Sequence, residues 1–186
     1  MRHILDLGLS DREKFFIAET ISQWGAIEHE VFLQTLKTFE PDDTLPKEMS
    51  NIQFSGVLKL WEARVVHQAD AERAAALREV HIGIEAKQEA RNALVHGMWS
   101  WDTSAPGLVF VTRVKRDTVI RSVFDAKSLE ALALDVCDLL YKLKYPRGIA
   151  DQAEELGNDG YWFSRRRVAA MSRDPVTADL SPLKDD

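Results

Sequence analysis

The sequence predicts a mainly helical domain, an up-down bundle of four main helices with a small β-hairpin before the last helix and a C-terminal tail. Three observations predict it. Long stretches carry apolar residues at helical spacing, start at capping residues and stop at Pro or Gly. Only the segment 108–124 is dense in β-branched and aromatic residues flanking a short polar turn. A hydrophobic content of 45% over 186 residues supports one core. We read residues 1–147 as the bundle, with its hairpin at 108–124, and 148–186 as a partly ordered C-terminal extension.

Ser10-Asp11-Arg12-Glu13 is a capping-box pattern, so a first helix is expected from about Asp11 to about Phe39. Its apolar stripe holds Ile17, Ile21, Trp24, Val31 and Phe32. Glu28 falls on the same stripe, four residues after Trp24 and four before Phe32. A carboxylate there needs a partner or a cleft, because an unpaired buried charge is costly. The stretch from Pro41 to Asn51 reads as a loop. A second helix is expected over about Ile52 to Ala69, with Phe54, Val57, Leu58, Trp61 and Val65 inward.

Asp70 is a plausible cap for a third helix running to about His96, in which Gly83 marks a bend or a close helix crossing. Its stripe is Leu77, Val80, His81, Ile84, Gln88, Arg91 and Val95, apolar at first and polar toward the end, as where a core face opens into a cleft. Trp99 to Gly107 has loop composition. Leu108–Val114 and Thr118–Phe124 flank Lys115-Arg116-Asp117 and predict the hairpin. A last helix is expected from about Ser128 to Tyr145, stopped by Pro146. Cys137 cannot form an internal disulfide and is expected to be a small buried hydrophobe among Leu134, Val136, Leu139 and Leu140. The tail is expected to hold a short helix around Ala150 to Leu156 and an aromatic–basic patch, Tyr161-Trp162-Phe163 followed by Arg165-Arg166-Arg167, suited to docking on a partner.

Charge and composition exclude several classes. No apolar run approaches the ~20 residues of a membrane span, and the first residues lack the apolar core of a secretion signal, so a cytoplasmic location is expected. A net charge of −6 argues against a general nucleic-acid coat protein. His3, His29, His67, His81 and His96 give no pair at zinc-ligand spacing, and Leu33 stands where a zincin would place its second histidine after His29. No glycine-rich phosphate loop or nucleophile elbow is present. Neither a metal nor a cofactor is expected.

What remains is Arg91-Asn92-Ala93-Leu94-Val95-His96-Gly97, a planar cation, an amide and a titratable imidazole at the end of a helix. Gly97 stands where helices commonly end on glycine. Arginine grips phosphate oxygens through its fork of donors, and histidine transfers protons near neutral pH. Asn92 and His96 are four apart and share a face. Arg91 lies about 140° round an ideal helix from His96 and must reach across to share a ligand with it.

Arg91-Asn92-x-x-x-His96-Gly97, late in a helix of a helical chain, resembles the Arg-x(4–6)-His motif of the HEPN superfamily, in which a polar residue often follows the arginine. The layout from about Phe15 to Lys144 is also similar, with an inward acidic residue, Glu28, on a long first helix. The resemblance implies a metal-independent endoribonuclease that acts as a homodimer with a composite cleft. His96 would be the general acid/base, Arg91 the phosphate binder and Asn92 an orienting residue, with Glu28 supporting Arg91. Attack by the ribose 2′-hydroxyl would leave a 2′,3′-cyclic phosphate. Many such proteins are toxins or act in phage defence, so an antitoxin is a further expected partner. Those paired with nucleotidyltransferase antitoxins often carry tyrosine two residues after the histidine, where this chain has Met98. Trp99, Trp101, Arg113 and Arg116 are candidate RNA contacts. The alternative is a catalytically silent dimerisation or ligand-binding module of the same type.

Overall fold

The computed structural model describes residues 8–50 and 53–159. The chain divides into two compact units, Met1–Gly148 and Ile149–Asp186. The first is mainly helical with one three-stranded antiparallel sheet. Helix α1 (Asp11–Leu36) starts at the expected capping box, where the Ser10 amide donates to Glu13 at 2.7 Å and the Glu13 amide donates to Ser10 Oγ at 3.3 Å. Trp24, Ile27, Val31 and Thr35 are its buried line, while Ile21, expected inward, is exposed. The helix ends before Phe39. The amides of Thr38 and Phe39 bond three residues back, to Thr35 and Leu36, so the last turn tightens instead of continuing.

Within the expected loop lies a single turn, α2 (Lys47–Ser50), which buries Met49. The expected second helix is shorter: α3 (Phe54–Trp61) passes into a π-helical turn, Glu62–Val66, where the His67 amide reaches back five residues to the Glu62 carbonyl. The wider turn brings Trp61 and Val66, five residues apart, both into the core with no measurable exposure. Trp61 stacks on His81 and donates its indole N–H to Gln34 at 2.9 Å. Arg64 closes the far end of α1, donating to the Thr38 hydroxyl and carbonyl at 2.8 Å each and lying over the Phe39 ring.

Helix α4 (Ala71–His96) begins at Asp70, whose side chain accepts from the Arg73 amide. Leu77, Val80, His81 and Ile84 are buried, and burial resumes at Ala93 and Leu94, so the stretch between is the half-buried polar segment expected from its composition. Val95, placed on the inward stripe by spacing, is exposed. Gly83 is a close crossing, because a Cβ there would run into Leu139 of α5 (Ala126–Lys144). That last helix starts two residues before Ser128, since Asp125 forms a cap with Ser128 in both directions. It buries Leu129, Leu132, Val136, Leu139 and Leu143 and packs against α1 and α4. Cys137 is exposed, against expectation. It follows Val136 by one residue, about 100° round the helix, and so points away from the buried line.

The hairpin is present as β2 (Val109–Lys115) and β3 (Thr118–Phe124), with Val111 opposite Ser122. Trp99 to Trp101, expected as the start of a loop, belong to strand β1 (Met98–Trp101), antiparallel to β2 with Trp99 opposite Val111. Val109, Val111 and Phe124 bury the inner face of the sheet against the core. The turn is a two-residue loop whose first residue, Arg116, holds φ at 55°, a position that favours glycine. In the second unit, helix α6 (Ile149–Asp159) extends past the expected Leu156. Tyr161-Trp162-Phe163 and Arg165-Arg166-Arg167 lie outside the described residues.

Candidate functional site

Glu28 sits on α1 four residues beyond Trp24, so both side chains leave the same helix face. Its carboxylate finds the partner its burial demands. Oε1 accepts the indole N–H of Trp24 at 2.9 Å and Nη2 of Arg91 at 3.0 Å. Arg91 reaches this position from the half-buried polar stretch of α4 and spends its other terminal nitrogen on Asn92, donating to Oδ1 at 3.1 Å. The guanidinium carbon stands 5.9 Å from the Trp24 ring centroid, within range of the ring quadrupole. Arg91 Nε is buried and has no hydrogen-bond partner among the described residues. Arginine has five N–H donors. Glu28 and Asn92 engage one terminal nitrogen each, so the guanidinium is held in place and keeps donors to spare.

These residues line a pocket of about 500 Å³, within the size range of small-ligand sites. Trp24, Phe32, Phe54 and Val57 supply its apolar lining. Glu28, Arg91 and Asn92 supply polar lining together with His29, Gln53, Ser55 and Gln88. The pocket therefore draws on α1, α4 and the segment that enters α3. Glu28 and Arg91 offset each other's charge, so the pair adds no net charge to the lining.

Of the residues picked out in the sequence, the pocket collects Glu28, Arg91 and Asn92. His96 is not among its lining residues; it ends α4, exposed, its side chain without a hydrogen bond or ion pair among the described residues. The sharing of a face by Asn92 and His96 thus does not bring both into one cavity. Trp99 and Trp101 lie on β1, Trp99 packed against the core and Trp101 close to Gly8. Arg113 on β2 is mostly buried in an ion pair with Glu89 of α4, and Arg116 is exposed at the hairpin turn. None of these four lines the pocket.

His29, Gln53 and Ser55 line the pocket but were not identified from the sequence. For His29 a signal existed: it directly follows Glu28 and precedes Phe32 by three, at the edge of the α1 stripe. Among the described residues, no three His, Cys, Asp or Glu side chains are grouped so that they could hold a metal ion. No described helix is long and apolar enough to cross a membrane.

Gly97 ends α4 with φ −86° and ψ 158°, ordinary extended backbone and not the left-handed conformation that usually explains glycine there. The reason is crowding. A Cβ at this position would stand 2.6 Å from the Ala93 carbonyl oxygen and closer still to Cγ1 of Val111. The backbone after His96 is therefore pressed onto β2, which fixes where the helix ends and where its last imidazole sits.

No protein-family model, curated protein or solved structure matches the chain.

Proposed function

We propose that the chain is a metal-independent endoribonuclease of HEPN type, in which α1, α3, α4 and α5 form an up-down four-helix bundle. The observation that carries the reading is the Arg91 guanidinium, oriented by Glu28 and Asn92 beside a pocket, on the same helix that ends in His96, whose side chain has no partner among the described residues. Arg91 keeps donors for a phosphate, and a guanidinium aimed at developing phosphorane charge acts without rearrangement at the moment of reaction. The ribose 2′-oxygen attacks the adjacent phosphorus as its proton passes to an imidazole, and the bond from phosphorus to the 5′-oxygen breaks as that oxygen takes up a proton. The products are a 2′,3′-cyclic phosphate and a 5′-hydroxyl.

His96 of one chain supplies one of the two proton transfers at a time. A homodimer that brings two α4 ends together supplies both, and it also accounts for a His96 that stands outside its own chain's pocket. RNA is the substrate. A role as a toxin or phage-defence protein, with an antitoxin as partner, follows from the same resemblance.

A second reading, a silent dimerisation or ligand-binding module, is favoured by one observation: Arg91 is already neutralised by Glu28. RNA incubated with the purified chain in excess chelator separates the two. The ribonuclease reading expects cleavage that falls about 10²–10⁴-fold in His96→Ala, the scale of a lost general acid/base, and strongly in Arg91→Ala. Cleavage retained in both variants, or requiring a divalent ion, sinks it. Absence of cleavage by the wild type leaves the silent module.

A further inference from the structure

The lining of the pocket is more specific than a phosphate clamp requires. Phe32 and Phe54 are half-buried there, and Trp24 meets Phe54 edge to face with centroids 6.1 Å apart. Aromatic surface of this kind stacks on unpaired bases. The polar lining is rich in side-chain amides. Neither Gln53 nor Gln88 has a side-chain hydrogen bond among the described residues. An amide presents a donor and an acceptor side by side, the pair that matches N7 and the N6 amine of adenine.

Glu28 adds to this preference. It spends Oε1 on both Trp24 and Arg91 and leaves Oε2 without a partner among the described residues, an acceptor suited to an exocyclic amine. On the edge that carries N7 and the N6 amine, guanine has a carbonyl oxygen in place of that amine, as uracil has at its matching position, and a carbonyl is repelled by a carboxylate; the 2-amine of guanine lies on its other edge. Cytosine offers the amine on a single ring, with less area to stack. The mutual neutralisation of Glu28 and Arg91 favours an uncharged ring over a second phosphate.

We propose that this pocket seats one unpaired adenine, stacked on Phe32 and Phe54 and read along its edge by Gln53 and Gln88. It would be the base that positions a single-stranded RNA for cleavage. That role rests on the ribonuclease reading, but occupancy of the pocket is measurable without any cleavage.

The test is isothermal titration of the full chain with adenosine, guanosine, cytidine and uridine 5′-monophosphates, repeated for Gln53→Ala and Gln88→Ala. The proposal expects saturable binding of the adenosine nucleotide, with the other three at least about tenfold weaker. Each glutamine variant should lose about tenfold, the scale of one bidentate amide–adenine pair. Neither glutamine side chain has a hydrogen bond among the described residues, so circular dichroism should show the variants folded. No saturable binding at millimolar concentration, equal binding of all four nucleotides, or glutamine variants that bind as wild type would each overturn the assignment. Adenosine nucleotide binding without RNA cleavage would uphold the pocket and remove the ribonuclease reading. Cleavage without nucleotide binding would do the reverse.

Discussion

Replacing Gly97 by alanine tests whether the end of α4 is fixed by crowding against the sheet. The backbone there is one that alanine adopts freely, so no dihedral penalty arises. The cost is steric. The added methyl meets the Ala93 carbonyl, which already accepts the residue-97 amide at 2.9 Å, and Val111, which is fully buried and β-branched. Neither can step aside cheaply: one is helix backbone, and the other has a stiff χ1. Overpacking of this kind costs about 1–3 kcal/mol. Loss of the glycine's freedom in the unfolded chain returns about 0.4–1 kcal/mol.

The net loss of up to about 2.6 kcal/mol corresponds to a melting temperature up to about 10 °C lower for a chain of this size. Gly25→Ala is the matched control, because nothing lies within 4 Å of a Cβ at that helical position. It should gain up to about 1 kcal/mol from helix propensity and melt higher. Thermal and urea denaturation followed by far-ultraviolet circular dichroism measures both. If Gly97→Ala proves as stable as Gly25→Ala, the close approach of α4 to β2 is not what the glycine serves.

Three further outcomes follow from the same geometry. Glu28→Ala removes the acceptor of the buried Trp24 indole and the partner of Arg91 together, and should cost about 1–3 kcal/mol in urea denaturation; Glu28→Gln, which keeps an acceptor, should cost less, and equal stability of all three proteins would refute the shared role of Oε1. Arg116→Gly relieves a left-handed residue at the hairpin turn and should stabilise by about 0.5–1 kcal/mol; a lower midpoint would show that the arginine side chain holds the turn. The hydrogen bonds from the Ser128 amide and hydroxyl hold the Asp125 carboxyl below the ordinary carboxylate range. A depressed folded value stabilises above the unfolded pKa and is lost as pH falls through the folded one. The stability of wild type relative to Asp125→Asn should therefore decline on acidification below the ordinary aspartate range and stay flat at neutral pH, whereas a difference that does not change with pH would show that the carboxylate charge is not involved.

The long helices were legible because caps and apolar periodicity act locally: Ser10 with Glu13, Asp70, and the line from Leu129 to Leu143 each mark their own element. The π-helical turn after Trp61 was not legible, since one residue of altered pitch leaves no mark in a stripe read at helical spacing. Strand β1 was hidden for a related reason. Met98 to Trp101 is four residues long and owes its form to pairing with β2, not to any preference of its own. Cys137 shows the limit of neighbourhood reasoning, because adjacent positions on a helix face different ways.

At the site, Glu28 was found because a carboxylate on an apolar stripe is anomalous, and Arg91 answers it across 63 residues of chain. Gln53 and Ser55 gave no such signal. Exposed polar residues at a helix entrance look alike wherever they occur, and only the packing of α3 against α1 turns these two into pocket lining.

The chemistry of the cut ends shows whether Arg91 and His96 direct the RNA's own 2′-hydroxyl against its phosphate, as proposed. A single-stranded RNA containing adenines is incubated with wild type, Arg91→Ala and His96→Ala in excess chelator, and the products are resolved by mass. Wild type is expected to leave 2′,3′-cyclic phosphate and 5′-hydroxyl ends, with both variants strongly impaired. Fragments ending in 3′-hydroxyl and 5′-phosphate, or cyclic phosphates produced equally well by His96→Ala, would contradict it.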